Sequence, residues 1–307
     1  MRIISSTPCR ISIFGGGTDV GEYAQKYGGF CINMAINIRQ KVEINDSIIG
    51  HTIPEGASYE FYKNIFSFMD TPLPSGLFCS FDGIIESGLG SSASAAVALV
   101  GAVNKYKNLG MTRRDIAEKA WDIEVNAVGL FGGKQDQYVA AFGGINAMRF
   151  TNGVEVVPLR DNFMSKIFPS LVMFYTGSNR KSPTIQEGLR IITLSQRVEL
   201  DKIKGLAMDA IQPIGSGDIE VVGKLLDKSW ACKKRSNNGV STSEFDQIYD
   251  KAKKLGAWGG KLLGAGGGGY CIFIVDPDKR QNLIDNLGIK WVDFDIDFNG
   301  LDCRILC

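Results

Sequence analysis

Residues 84–96 offer the clearest opportunity for chemistry, because an Ile-rich run gives way to Gly88-Leu89-Gly90, then Ser91-Ser92, then Ala93 and a series of small apolar residues. The pattern predicts a strand over 78–85, a glycine loop, and a helix from 91 to about 108. Glycines let backbone approach a ligand without a Cβ in the way, and the first N–H groups of a helix have no internal partner. With the positive end of the helix dipole added, such a corner favours an anion, phosphate above all. The serines have a second use as helix caps, which requires no ligand. Gly88-x-Gly90-x-x-Ala93 also fits a dinucleotide fingerprint, but Thr112-Arg113-Arg114-Asp115 reads as a capping box opening another helix, where that fold needs a second parallel strand.

Four further stretches carry functional residue types. Gly15-Gly16-Gly17-Thr18-Asp19 combines glycines, a hydroxyl and a carboxylate, either a corner that grips a small polyol or an ordinary turn. Glu124 falls beside the helical stripe Ile116, Ala120, Ile123 and Ala127, next to Trp121. There its carboxylate is partly desolvated unless a cation meets it; otherwise it is a surface residue at the stripe's edge. Gly132-Gly133-Lys134-Gln135-Asp136-Gln137-Tyr138 superficially suggests a P-loop, but the glycine spacing is wrong and Gln135 stands where Ser or Thr is required. Gly264-Ala265-Gly266-Gly267-Gly268-Gly269 precedes a strand rather than a helix, which excludes a dinucleotide site. So many glycines are costly to order, which points to close approach to another loop or to phosphate, a plain hairpin being the alternative.

The elements that must hold these residues alternate between strand and helix. Residues 2–14 read as a sheet edge because of Pro8, and 29–45 as strand; 46–76 are ambiguous, with an amphipathic piece around Tyr59 to Met69 and a Pro- and Gly-rich exit at 71–76. A helix is expected over 113–128, a hairpin over 145–151 and 154–159 around Asn152-Gly153, and a strand over 171–176. Helices follow at about 183–214, 216–235 and 243–255, then a helix at 277–287 among strands at 260–263, 270–275, 290–296 and 301–307, a split βαβ arrangement. The expected class is α+β in two domains, 1–165 and 166–307. Basic and acidic residues, 34 against 33, nearly cancel and form no polybasic run, so neither nucleic acid nor an anionic membrane is expected as partner. The longest apolar run, 93–103, is too short to span a bilayer, and the start has no signal-peptide core, so a cytoplasmic protein is expected. Seven scattered cysteines, without a C-x-x-C pair, read as reduced core residues. A single histidine, His51, leaves no partner for a histidine zinc site or a Ser-His-Asp triad.

The glycine motifs, in this order, resemble those of the GHMP kinases, the superfamily of galactokinase, homoserine kinase, mevalonate kinase and phosphomevalonate kinase. The likeness rests on Pro8-x-Arg10 through Gly17-Thr18-Asp19, on Gly88 to Ala93, and on Lys261-Leu262-Leu263-Gly264 to Gly269. Arg10 to Asp19, Gly133 to Tyr138, Tyr175-Thr176-Gly177 with Arg180, and Trp230-x-x-Lys233 resemble the branch of D-glycero-D-manno-heptose 7-phosphate kinases. The resemblance implies an N-terminal domain like the second domain of ribosomal protein S5, a ferredoxin-like C-terminal domain and a site between them. It implies an ATP-dependent kinase acting on the anomeric hydroxyl of a sugar phosphate, with an unphosphorylated hexose or other small alcohol, or a non-catalytic sugar or nucleotide sensor, as alternatives. By resemblance, Gly88, Leu89, Gly90, Ser91, Ser92 and Ala93 wrap the ATP triphosphate, Ser92 and Glu124 hold Mg²⁺, and Asp136 accepts the proton of the attacking hydroxyl. Arg10 offsets charge on the transferring group, while Gly16, Gly17, Thr18, Asp19 and Arg180 hold the sugar. Lys134 either steadies the carboxylate or contacts sugar phosphate, for which Arg180 and Lys233 are the other cations nominated, and Gly264, Gly266, Gly267 and Gly268 form a supporting loop.

Overall fold

A computed structural model describes residues 1–159, 167–177 and 190–306. Strand β1 (Arg2–Phe14) leads into the glycine corner, and after helix α1 (Gly21–Tyr27) the long strand β2 (Gly29–Asn45) returns antiparallel to it, setting Arg10 opposite Ala35. Short β3 (Gly50–Thr52) and helix α2 (Tyr59–Phe68) precede β4 (Gly76–Phe81). Helices α3 (Ser91–Lys107), α4 (Arg113–Asn126) and α5 (Gln135–Phe142) come next, then the hairpin β5 (Ile145–Phe150) and β6 (Val154–Pro158). The length of β2 lets its second edge serve two partners, β4 along Gln40–Ile44 and β5 along Gly29–Met34.

A second sheet follows. It is built from β7 (Leu171–Tyr175), β8 (Ala257–Leu262), β9 (Tyr270–Val275) and β10 (Lys290–Val292), in the order β10-β7-β9-β8. Between β7 and β8 lie helices α6 (Leu194–Asp209), α7 (Ile211–Ser216), α8 (Ile219–Ser236) and α9 (Ser243–Lys254), and between β9 and β10 lies α10 (Arg280–Asn286). The last strand, β11 (Asp302–Leu306), departs from expectation: it pairs antiparallel with β1 and so joins the first sheet rather than the second. Consequently β1 is no edge. Pro8 is tolerated because β11 pairs only with Arg2 to Ser6 and because the β1–β2 ladder bulges between Pro8 and Cys9, where no donor is needed. The strand predicted over 78–85 ends at Phe81, leaving 82–90 as loop. The proposed boundary at 165–166 and the helical stretch 183–189 lie outside the described residues.

Both faces of the first sheet are covered. On one, Ala96, Leu99 and Val103 of α3 pack with Val42, Ile44 and Met148; on the other, Ile11, Ile13, Ile32 and Met34 pack with Val222 and Leu226 of α8 and with Ile272 and Ile274 of β9. This second cluster is continuous across the two sheets, so burial of apolar surface fixes the base on which side chains of β1 and α8 stand. The described cysteines are free, five of them buried, as expected of small hydrophobes.

Candidate functional site

The head of α3 meets β1 and α5 at one point. Arg10, on β1, donates from Nε to Asp136 Oδ1 at 2.7 Å, from Nη2 to Asp136 Oδ2 at 2.5 Å, and from Nη1 to the Gly88 carbonyl at 2.5 Å. Two parallel bonds of this kind fix a carboxylate in orientation as well as position. Asp136 is in the first turn of α5, and Gly90 is the residue before α3. With φ at 71° Gly90 is left-handed, and a Cβ there would lie 3.0 Å from Asp136 Oδ2 and 3.3 Å from Arg10 Cζ. Glycine therefore keeps the corner between helix start and carboxylate open.

No side chain caps α3, so the capping use of the serines is not realised. The Ser92 hydroxyl turns instead to the Glu124 carboxylate of α4, whose Oε2 accepts from Gln137 Nε2 at 2.6 Å. Glu124 is 4% exposed. Burial pushes its carboxyl up to about 7, a rise that the hydrogen bonds from Gln137 and Ser92 only partly oppose. It is thus the desolvated residue of the two alternatives, not the surface one. Among the described residues no group of three or more His, Cys, Asp or Glu gathers here, so any cation would draw the rest of its ligands from water or substrate.

The glycine corner divides its labour. Thr18 is fully buried, its hydroxyl donating to the Gly15 carbonyl at 2.8 Å and accepting from the Phe30 amide at 3.1 Å, so it braces the turn rather than facing the cleft. Gly16, Gly17 and Asp19 do face the cleft. Asp19 Oδ1 accepts from the Gly17 amide and from Gln135 Nε2, each at 3.1 Å, and a side chain on Gly133 would overlap its carboxylate. Burial, and then the charge of Asp136, hold the Asp19 carboxyl above its ordinary range.

The glycine stretch 264–269 packs against the loop at Ser87 and Gly88. A Cβ on Gly88 would lie 2.6 Å from the Leu263 carbonyl and one on Gly264 2.7 Å from Gly88 Cα, while the Tyr270 amide donates to the Ser87 carbonyl at 2.9 Å. Gly266 is pressed against Val240, whose carbonyl takes the Gly267 amide at 2.9 Å. Of the two uses expected for this stretch, approach to another loop is realised. Leu89 is a core residue whose carbonyl accepts the Arg10 amide at 3.0 Å.

One expected neighbour of Asp136 is elsewhere. Lys134 Nζ pairs with Glu118 at 2.5 Å and lies 4.4 Å from the centre of the Trp121 ring, outside the cleft lining. The reason is helical geometry: residue 134 sits just before α5, two positions from Asp136, and so cannot share its face. Arg180 lies outside the described residues. Sequence reasoning gave no role to Lys261 of β8, whose Nζ donates to the Ser12 carbonyl at 2.9 Å, nor to Phe61, Trp121, Val125 and Val128, which also line the cleft. A lysine inside the strand expected over 260–263 was a usable signal, since lysine is seldom buried without a partner or a role. Together these residues line a cleft of about 580 Å³, the size of a small-molecule site.

Comparison with known proteins identifies the family. Residues 34–144 match the family described as GHMP kinases N terminal domain, and residues 207–293 match GHMP kinases C terminal. The chain is 33% identical, over 93% of its own length and 93% of the other's, to the D-glycero-alpha-D-manno-heptose 7-phosphate kinase of Campylobacter jejuni. A crystal structure named as a D-glycero-D-manno-heptose 1-phosphate kinase from Bacteroides thetaiotaomicron superposes with a TM-score of 0.80 at 25% identity, covering 99% of both chains. The mevalonate kinase of Methanococcus jannaschii shares the fold, with a TM-score of 0.72 at 20% identity over 99% of this chain and 98% of that one. The chain therefore belongs to the GHMP kinases, phosphotransferases that carry a phosphate from ATP to an alcohol.

Proposed function

We propose that this protein is a sugar kinase that transfers the γ-phosphate of ATP to the anomeric hydroxyl of a sugar phosphate, with D-glycero-D-manno-heptose 7-phosphate as the first candidate acceptor. The observation that carries the reading is the Arg10–Asp136 pair set directly against the uncapped start of α3. On this reading the ATP triphosphate lies along 88–93, where backbone donors and the helix dipole favour it. The sugar lies against Gly16, Gly17 and Asp19, with its anomeric hydroxyl at Asp136. Phosphoryl transfer passes through a loose transition state and needs little prior deprotonation, which suits a carboxylate clamped by Arg10. Asp136 orients the hydroxyl, accepts its proton as the O–P bond forms, and passes it to water. Arg10 also offsets charge on the phosphoryl oxygens.

A two-oxygen set of Ser92 and Glu124 fits Mg²⁺, which takes few protein ligands and keeps waters and phosphates. Bound there, the ion would neutralise charge on the phosphates. Glu124 contributes the anionic oxygen, and Gln137 holds that oxygen in place. No helix among the described residues is long and apolar enough to cross a membrane; the need for ATP is what supports the reading of a cytoplasmic enzyme. The test is ADP release from Mg-ATP with heptose 7-phosphate, mannose, fucose, galactose and mevalonate in turn. Turnover fastest with an unphosphorylated sugar moves the acceptor class, and ADP release with none of them ends the kinase reading.

A further inference from the structure

Two lysines at the far end of the cleft have no part in the scheme above. Lys233, on α8, donates from Nζ to the Gly16 carbonyl at 3.1 Å; Lys261, on β8, donates to the Ser12 carbonyl at 2.9 Å and is 8% exposed. Both face the cleft, and neither forms an ion pair among the described residues. Each ammonium has three donors and meets one carbonyl here, so both keep unspent hydrogen-bonding capacity inside a buried wall. Buried cations of this kind are normally matched by an anion.

Their neighbours fix where such an anion would sit. Within the cleft Glu124 meets Ser92, and Gly90 meets Asp136 and Arg10. Asp19 follows, tied to the same helix as Asp136 through Gln135. A Cβ on Gly16 would lie 3.8 Å from Lys261 Nζ and 3.9 Å from the Gln135 Nε2 that holds Asp19, and Lys233 bonds the carbonyl of that same Gly16. The lysines are therefore on the acceptor side of Asp136, beyond the residue that would hold the sugar. We infer that Lys233 and Lys261 form a subsite for a phosphate monoester carried by the acceptor, at the end of the sugar opposite the hydroxyl being phosphorylated. The inference rests on the kinase reading for its orientation and on the lysine pair for its chemistry. The free pair is poised for a dianion: burial, and then the charge of Lys233, bring the Lys261 ammonium down to about 7, and an incoming dianion restores its proton.

The experiment compares heptose 7-phosphate with the same heptose lacking phosphate, in wild type, Lys233→Met and Lys261→Met. Each variant should lose about 10- to 100-fold in kcat/KM for the phosphorylated acceptor, and the ratio of the two acceptors should fall by a similar factor. Inorganic phosphate should compete with the phosphorylated acceptor in wild type and lose that competition in both variants. An equal loss on both acceptors, or a raised KM for ATP with the ratio unchanged, overturns the subsite. Near pH 8, calorimetry in two buffers of different ionisation enthalpy should show proton uptake with heptose 7-phosphate that is absent in Lys261→Met. Lys261→Gln substitutes if the Met variant fails to fold. Should no acceptor release ADP, the kinase reading fails separately, and calorimetry still decides the subsite: tighter binding of the phosphorylated sugar, lost in both variants, supports it, and equal binding of the two sugars overturns it.

Discussion

Glu124 is held in a state that opposes folding, and removing its charge should make the protein more stable as well as less active. Its carboxyl stands at about 7 in the folded protein against an ordinary 4.5. As pH rises between those values the unfolded chain gives up this proton first, so the folded state binds more protons and stability falls. The loss is absent well below pH 4.5 and complete above about 7, and the difference corresponds to about 3 kcal/mol. Glu124→Gln cannot ionise and keeps an oxygen for Gln137. In metal-free buffer with EDTA, urea unfolding of the two proteins should therefore show the variant's advantage widening by about 2 kcal/mol from about pH 5.5 to about pH 8.5. Other titrating groups cancel in the difference. Adding Mg-ATP at the higher pH should recover stability in wild type, by about 2.7 kcal/mol at a hundredfold excess over Kd, and far less in the variant. A gap that stays flat with pH, or a variant less stable than wild type at about pH 8.5, refutes the account of Glu124 as a desolvated carboxylate awaiting a cation.

Asp136→Asn should lower kcat by at least ~10²-fold in steady-state ADP release, with KM for ATP nearly unchanged, because the amide orients the hydroxyl poorly and accepts no proton. Gly133→Ala should push the Asp19 carboxylate from its place, raising KM for the acceptor by about tenfold or more while KM for ATP holds; equal shifts in both constants would count against the assignment of Asp19 to the sugar. Lys134→Ala should leave kcat/KM within about threefold and shift the urea midpoint only slightly, since its ion pair with Glu118 is partly exposed and worth about 1 kcal/mol or less. Gly88→Ala should destabilise by about 2 kcal/mol or more in the same unfolding assay, because the added Cβ meets the Leu263 carbonyl.

What could be read from the sequence was what a few neighbouring residues determine among themselves. Gly90 before Ser91-Ser92 announces an open helix start, and the stripe around Glu124 announces a buried face, because both depend on φ angles and helical period alone. The Asn152-Gly153 hairpin was legible for the same reason. What escaped depends on which distant segments meet. Nothing near Lys261 states that its ammonium will reach the Ser12 carbonyl across the cleft, and nothing in residues 302–306 states that they will seek β1 instead of the strands just before them. Thr18 illustrates the middle case: the motif marks the corner correctly, yet only packing against Phe30 and Gly15 decides that the hydroxyl is spent inside it.

The pairing of β11 with β1 has a consequence for how the protein comes to life. Arg10 is made long before β11, the strand that pairs with its own, and before residues 263–270, the segment that braces Gly88. A chain emerging from the ribosome thus carries its phosphate corner early, without the wall that closes it. The centre closes only when residues 263–270 and β11 have been made, so fragments that stop short of them lack its packing however well the earlier strands form.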